Sequence, residues 1–212
     1  MLQTIQATDI TLHDLRIKFN LSQTDDDQFF REWQDNLPEL SEQELRSLDR
    51  VKSNYRNLIE YPPLLENAIK MVVISPLLDL AGFYQPPFRI ETETSIDLAA
   101  ENEGVIVKGR IDILVLQEQL WVMVIESKKA EFSLEAARAQ ALAYMLANPN
   151  RDQPSFGMIT NGGSFVFVKL VKDKTPQYAL SRVFSIISPG NELYSVLIIL
   201  KRLGAAIANI AL

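Results

Sequence analysis

A chain of 212 residues, 47% hydrophobic and 23% charged, has enough apolar mass for one sizeable core, and its lack of cysteine excludes disulfides and thiolate metal sites. A net charge of −6 argues against a general nucleic-acid binder, but the charge is uneven. Residues 1–100 hold nine basic against 17 acidic side chains, net −8, and residues 101–212 hold twelve against ten, net +2, so any polyanion contact is expected on the second half.

Met1-Leu2-Gln3-Thr4-Ile5 has neither the basic start nor the apolar run of a signal peptide, and the cytoplasm is the expected compartment. Residues 11–59 read as helical and polar. Asp25-Asp26-Asp27 ahead of Phe29, Phe30 and Trp33 predicts a capped helix start; the glycine and distal glutamate of a calcium loop are missing. Ser41 with Glu44 three residues on predicts a capping box. Residues 64–73, behind Pro62-Pro63, are apolar almost all round and predict a central helix. Glu66 on that helix then needs a partner, either a lysine or backbone group or a metal ion.

The grammar changes to strands at residues 88–96, which alternate as a half-exposed edge strand. Residues 109–115 and 121–129 read as two apolar strands joined by a turn centred on Glu118. Ser133 caps a helix over residues 134–146, with Leu134, Ala137, Ala141, Leu142 and Met145 on one apolar face and Gln140 and Tyr144 beside it. Strands over 156–160 and 165–170 are joined through Asn161-Gly162-Gly163, a hairpin signal, and residues 178–187 add a last strand. Residues 190–210 close the chain as a helix that either completes the core or forms the seam of a homodimer; Lys201 and Arg202 break the apolar run, so no membrane span is expected. The order predicts an α/β domain over residues 61–212 with a helical lobe over 1–60, packed as one unit, whose acidic surface suits a partner protein.

A few charges sit inside the two apolar strands, where charge is costly unless paired or bound to metal. With the turn centred on Glu118, Asp112 lies opposite Val124, Arg110 opposite Glu126 and Lys108 opposite Lys128. Asp112 and Glu126 are then diagonal neighbours on one face, roughly 7–8 Å apart. Two carboxylates so placed can share one divalent cation, and oxygen ligands without histidine or cysteine favour Mg²⁺. Lys128 would reach the same pocket, to polarise a metal-bound water or bind a phosphate. The same residues could instead satisfy one another as a buried ion-pair network, Arg110 with Glu126 and Lys128 with Asp112. The lone His13, far from any candidate serine, disfavours hydroxyl nucleophile chemistry.

Asp112, then Glu126-Ser127-Lys128 at the end of the next strand, then Gln140-Ala141-Leu142-Ala143-Tyr144 on a helix, resembles the PD-(D/E)XK nuclease superfamily. More closely, the pattern is similar to the branch with a Q-x-x-x-Y element, which includes the nuclease domains of type I restriction R subunits. Residues 156–162 resemble the strand and turn found there, the likeness covers residues 64–170, and residues 1–60 carry none of its motifs. Ile111 stands where the family often has proline. There is no G-x-x-x-x-G-K-[ST] loop, helicase motor or methyltransferase motif, so the chain is not expected to be a whole type I restriction enzyme.

The resemblance implies a restriction-endonuclease-like mixed sheet flanked by helices and a Mg²⁺-dependent DNA endonuclease. Asp112 and Glu126 would ligate the metal, with the Ser127 carbonyl and Glu66 assisting. Lys128 would orient the attacking water, and Gln140 and Tyr144 would touch the phosphate backbone, buttress Lys128, or simply tie helix to sheet. Arg110 would support substrate binding. The alternative is a non-catalytic nuclease-fold module that binds DNA or docks a partner protein; an RNA hydrolase is disfavoured by the lack of a stacked-aromatic signature.

Overall fold

The computed structural model describes residues 3–61, 65–100, 104–117, 120–127 and 134–208, apart from the side chains of Leu120, Val122, Val124, Glu126, Ser127 and Ala136. Its spine is an antiparallel pair of 13-residue strands, β3 (Phe88–Ala100) and β4 (Val105–Gln117), in register from Phe88↔Gln117 to Ala100↔Val105. Both are rich in β-branched residues, which fit a pleated surface. The path of the sheet is β1 (Gln3–Gln6), β4, β5 (Leu120–Ser127), β6 (Ser155–Thr160), β7 (Ser164–Val171), β8 (Gln177–Leu180) and β2 (Ser22–Gln23), with β3 beside β4 and β9 (Phe184–Ser185) beside β7. β5 and β6 run parallel, and such a pair needs a crossover. The crossover carries α5 (Leu134–Leu146). The expected Ser133 cap lies outside the described residues.

Two cores flank the sheet. One face is covered by α5 and by Leu15 of α1 (Leu12–Phe19). The other is covered by α2 (Glu42–Ile59), by the helical stretch after Leu65, and by α6 (Leu193–Ala208). Leu193, Val196, Leu197, Ile199, Leu200, Leu203 and Ile207 of α6 are buried there, each side chain contributing roughly 1.5–3 kcal/mol. The last helix thus completes the core. Among the described residues no helix is long and apolar enough to cross a membrane.

The first sixty residues, expected as a helical lobe, share both cores and supply strands as well as helices. β1 pairs in parallel with β4, and β2 with β8. Four polar-flanked residues give too little alternation to read as a strand; the distant partner, as in Thr4↔Ile106, creates it. The helix expected after Asp25-Asp26-Asp27 is a series of turns instead. Asp26 Oδ1 accepts from the Gln28 N–H at 2.9 Å, so the aspartate closes a turn around its own backbone rather than capping a helix. The capping box of α2 forms as expected: Ser41 Oγ accepts from the Glu44 N–H at 3.3 Å and Glu44 Oε2 from the Ser41 N–H at 2.7 Å.

The central helix expected over residues 64–73 is three joined pieces, α3 (Glu66–Ile69), a π-helical turn (Lys70–Ile74) and α4 (Ser75–Leu80). The Ser75 N–H reaches back five residues to the Lys70 carbonyl. Pro76 follows at once; it lacks an N–H and crowds the carbonyl four residues back, and a wide turn just before it relieves that crowding.

Candidate active site

A strand has two edges, and β3 fills one edge of β4 along its whole length. The other edge is shared: β1 pairs with β4 as far as Lys108, and β5 pairs with it from Ile113 onward. Gly109, Arg110 and Ile111 lie in the gap between, and Asp112 stands at its far end, just before the first pair with β5. Tyr144 enters the gap from α5. Its hydroxyl accepts from the Arg110 backbone N–H at 3.3 Å and from Gln140 Nε2 at 2.6 Å. Gly109 makes room for it, since a Cβ there would stand 2.7 Å from Tyr144 Cε1 and 2.6 Å from Ala7 Cβ. Gln140 and Tyr144 are 6% and 1% exposed, so they tie helix to sheet rather than face solvent.

The expected register of β4 with β5 is corrected. Leu114 pairs with Val124 and Ile113 with Ile125, whereas Leu116 pairs with Trp121, so β5 carries one extra residue between the two halves of the ladder. A register counted outward from Glu118 assumes a ladder without a bulge, and Glu118 and Gln119 lie outside the described residues. Asp112 is therefore not opposite Val124, nor Arg110 opposite Glu126. Asp112 and Glu126 are instead the next residues on their strands beyond the last pair, Ile113↔Ile125, where β4 and β5 part. β5 itself continues beside β6, pairing Glu126 with Ile159 and Ser127 with Thr160.

Asp112 also marks a change of face. Val107 and Ile111 pack into the core under α5, but Ile113 and Val115 pack into the opposite core. On β3, Phe88 and Ile90 pack with the second core and Ile96 and Leu98 with the first. The strands exchange faces together between the pairs Thr92↔Ile113 and Thr94↔Ile111, and Glu93 there has a left-handed φ of 55°. The exchange presents Asp112 beside Ile113 at a cavity of about 440 Å³ that is also lined by Lys70, Met71, Tyr84 and Glu93.

Lys70 Nζ lies 2.7 Å from Glu66 Oε1 and 3.0 Å from Asp112 Oδ1. The side chains of Lys70, Glu66 and Asp112 are 22%, 32% and 20% exposed. Burial disfavours the Lys70 ammonium, but its hydrogen bonds to the two carboxylates more than offset this and hold its pKa above the usual lysine value. Glu66 thus has the lysine partner that was one of its expected alternatives, Lys70, four residues on and on the same helix face; that Lys70 also meets Asp112 is what the sequence did not show. Arg110 pairs with Glu93 at 2.8 Å on the exposed rim; its alternative pairing with Glu126, and that of Lys128 with Asp112, fall on side chains outside the described residues.

Glu66 and Asp112 converge on one cationic position with hard, anionic oxygens, the donor chemistry Mg²⁺ takes. Among the described residues no group of three or more His, Asp or Glu could hold a metal ion, so this pair needs a further donor. The Glu126 side chain, the natural third, and Lys128 lie outside the described residues.

A search of solved structures finds the cryo-EM structure of the DrdV–DNA complex at 16% identity and a TM-score of 0.50, covering 76% of this chain and 14% of that one. This likeness is one of fold, a restriction-enzyme-like mixed sheet between helices, and the chain spans only 14% of that protein's length. The crystal structure of SSO0001, 17% identical over 84% of this chain and 82% of that one, gives a TM-score of 0.26, too low to bear on the fold. No curated protein matches. Residues 26–175 match the family of the type I restriction enzyme R protein N terminus, a span that takes in Glu66, Asp112, Glu126, Lys128, Gln140 and Tyr144, and the chain belongs to that family.

Proposed function

We propose that the chain is a Mg²⁺-dependent DNA endonuclease module of restriction type, acting in the cytoplasm. The observation that carries this reading is the convergence of Glu66 and Asp112 on one cation position at the point where β4 and β5 part, with Glu126 the next residue along β5. Membership of a restriction R-protein family and likeness in fold to a protein solved with DNA support it.

In this reading Asp112 and Glu126 hold the metal, with the Ser127 carbonyl and Glu66 assisting. A bound magnesium ion would supply Lewis acidity and lower the pKa of a coordinated water. Lys128 orients the attacking water and offsets the charge that builds on the phosphate oxygens. Arg110, exposed at the rim, reaches the backbone phosphates. Gln140 and Tyr144 act from beneath by holding the Arg110–Asp112 segment of β4 in place. Cutting both strands would call for a second copy of the site, from a homodimer or from a partner docked on the acidic first half.

The test is incubation of supercoiled plasmid with the protein and Mg²⁺. Nicked and linear products are expected from the wild type and none from Asp112→Ala or Glu126→Ala, with circular dichroism unchanged. Absence of metal-dependent cleavage by the wild type across duplex, single-stranded and branched DNA overturns the reading. A second reading, a non-catalytic module of the same fold that binds DNA or a partner protein, is favoured by the Lys70 ammonium already standing between the two carboxylates. It requires that calorimetric titration with Mg²⁺ show no binding.

A further inference from the structure

We propose that Lys70 is a resident counter-cation of the metal site: its ammonium holds Glu66 and Asp112 together while no divalent ion is bound, and it must swing away for one to bind. The inference rests on the reading of that pair as metal ligands.

The two carboxylates come from different elements, Glu66 from α3 and Asp112 from the middle of β4, and both are mostly shielded from solvent. Two like charges so placed repel, and in a partly desolvated setting a shared cation relieves the repulsion. Lys70 Nζ provides that cation at 2.7 and 3.0 Å. Mg²⁺ takes oxygen ligands at about 2.0–2.1 Å, shorter than either Lys70 contact, so an ion held by these oxygens on the side that Lys70 occupies would fall on the position of the ammonium. Two cations cannot share that space in a site of low dielectric.

The local structure supplies an exit. Lys70 opens the π-helical turn, where the backbone is widened and Ser75 bonds back to the Lys70 carbonyl. The adjoining cavity of about 440 Å³, lined by Asn67, Met71 and Tyr84 as well as Lys70, has room for a four-carbon stem to change rotamer. Metal binding is therefore coupled to the breaking of two ion pairs, and the site binds metal more weakly than a bare carboxylate pair on the same scaffold.

The experiment is Mn²⁺ binding to the full chain, followed by loss of the free-ion electron paramagnetic resonance signal, for wild type, Lys70→Met and Asp112→Asn. Lys70→Met is expected to bind Mn²⁺ about tenfold more tightly than wild type or better, and Asp112→Asn to lose binding. Lys70→Met should also melt at a lower temperature without metal and recover more of that loss than wild type when Mn²⁺ is added. Equal or weaker binding by Lys70→Met, with wild type binding normally, overturns the inference and leaves the metal site standing. Absence of binding by every variant, wild type included, overturns the metal site and the inference with it. Should Lys70→Met not fold, the ¹³Cε resonance of Lys70 in the wild type gives the same answer: it is expected to shift as Mg²⁺ saturates the site, and an unmoved resonance at saturation overturns the proposal.

Discussion

The Tyr144 hydroxyl accepts a hydrogen bond from the Arg110 backbone N–H at 3.3 Å, so a helix side chain stands where a strand would otherwise continue the sheet. β1 stops short of this point and β5 starts beyond it, which leaves the edge of β4 open just ahead of Asp112. A sheet edge left open in the interior must have its N–H groups satisfied. Tyr144, itself held by Gln140 at 2.6 Å, does this for Arg110 while keeping the gap free of another strand.

Tyr144→Phe should therefore cost stability without opening a large cavity. The substitution keeps the ring and removes the acceptor used by both Arg110 and Gln140. Leaving buried donors unsatisfied costs about 1–3 kcal/mol each, and relaxation of the Gln140 side chain offsets part of it. A loss of roughly 2 kcal/mol in urea unfolding is expected, with faster hydrogen exchange at the Arg110 amide and little change at the Val107 amide. An unchanged Arg110 amide would show that the hydroxyl does not hold the strand.

Gly109→Ala tests the same gap from the strand side. The added Cβ would meet Ala7 at 2.6 Å and Tyr144 at 2.7 Å, both anchored in the core under α5. Neither neighbour is the end of a flexible chain, so the backbone must move, and overpacking of this kind costs about 1–3 kcal/mol. The thermal midpoint should fall, with the DNA-cleavage assay losing more than stability alone explains, because the displaced segment leads to Asp112.

These relationships were unequally legible in the sequence. The helix of Gln140 and Tyr144 was readable over its full length, because a Leu/Ala-rich run at helical spacing states its own structure. The Asn161-Gly162-Gly163 turn was readable for the same local reason: Gly162 has φ 82° and Asn161 Oδ1 accepts from the Gly163 and Ser164 N–H groups. The register of β4 with β5 was not, since one extra residue in β5 shifts the pairing without any mark in the apolar pattern. The arrival of Lys70 at Asp112 was hidden too, as it depends on the face exchange in β3 and β4 and on how the π-helical turn packs over the sheet. The half of the contact made within the helix, Glu66 with Lys70, was in plain view.

The link between α2 and α6 should be sensitive to acid. Burial alone would raise the Glu44 pKa, but hydrogen bonds from Lys201 and from Ser41 more than offset it and bring it down from 4.5 to about 2. Its folded pKa is depressed, so its contribution to stability is fully present above about pH 4.5 and is lost as the pH falls towards 2. Glu44→Gln should be less stable than wild type at pH 6, where the 2.6 Å pair with Lys201 is intact. The difference should close between pH 4.5 and 2 in urea unfolding curves. A difference that stays constant over that range would mean the pair contributes nothing through its charge.

The turn after β6 reaches the site through Ile69, the residue before Lys70. Gly162 has φ 82°, and a Cβ there would stand 2.7 Å from Ile69 Cγ2 and 3.0 Å from Cγ1. Gly162→Ala thus combines two costs, roughly 1–3 kcal/mol of backbone strain and a steric push against the start of the π-helical turn. The two separate in a double-mutant cycle with Ile69→Ala, which removes the opposing methyl groups but leaves the backbone angle as it is. Ile69 is fully buried, so Ile69→Ala alone should cost about 2–5 kcal/mol. In that background Gly162→Ala should lose its steric part and cost only the strain, a coupling of about 1 kcal/mol or more in urea unfolding. Strict additivity would show that the turn and the helix do not press on one another, and Gly162→Ala would then leave Mn²⁺ affinity at the Lys70 carboxylate pair unchanged; with the coupling present, that affinity should move as well.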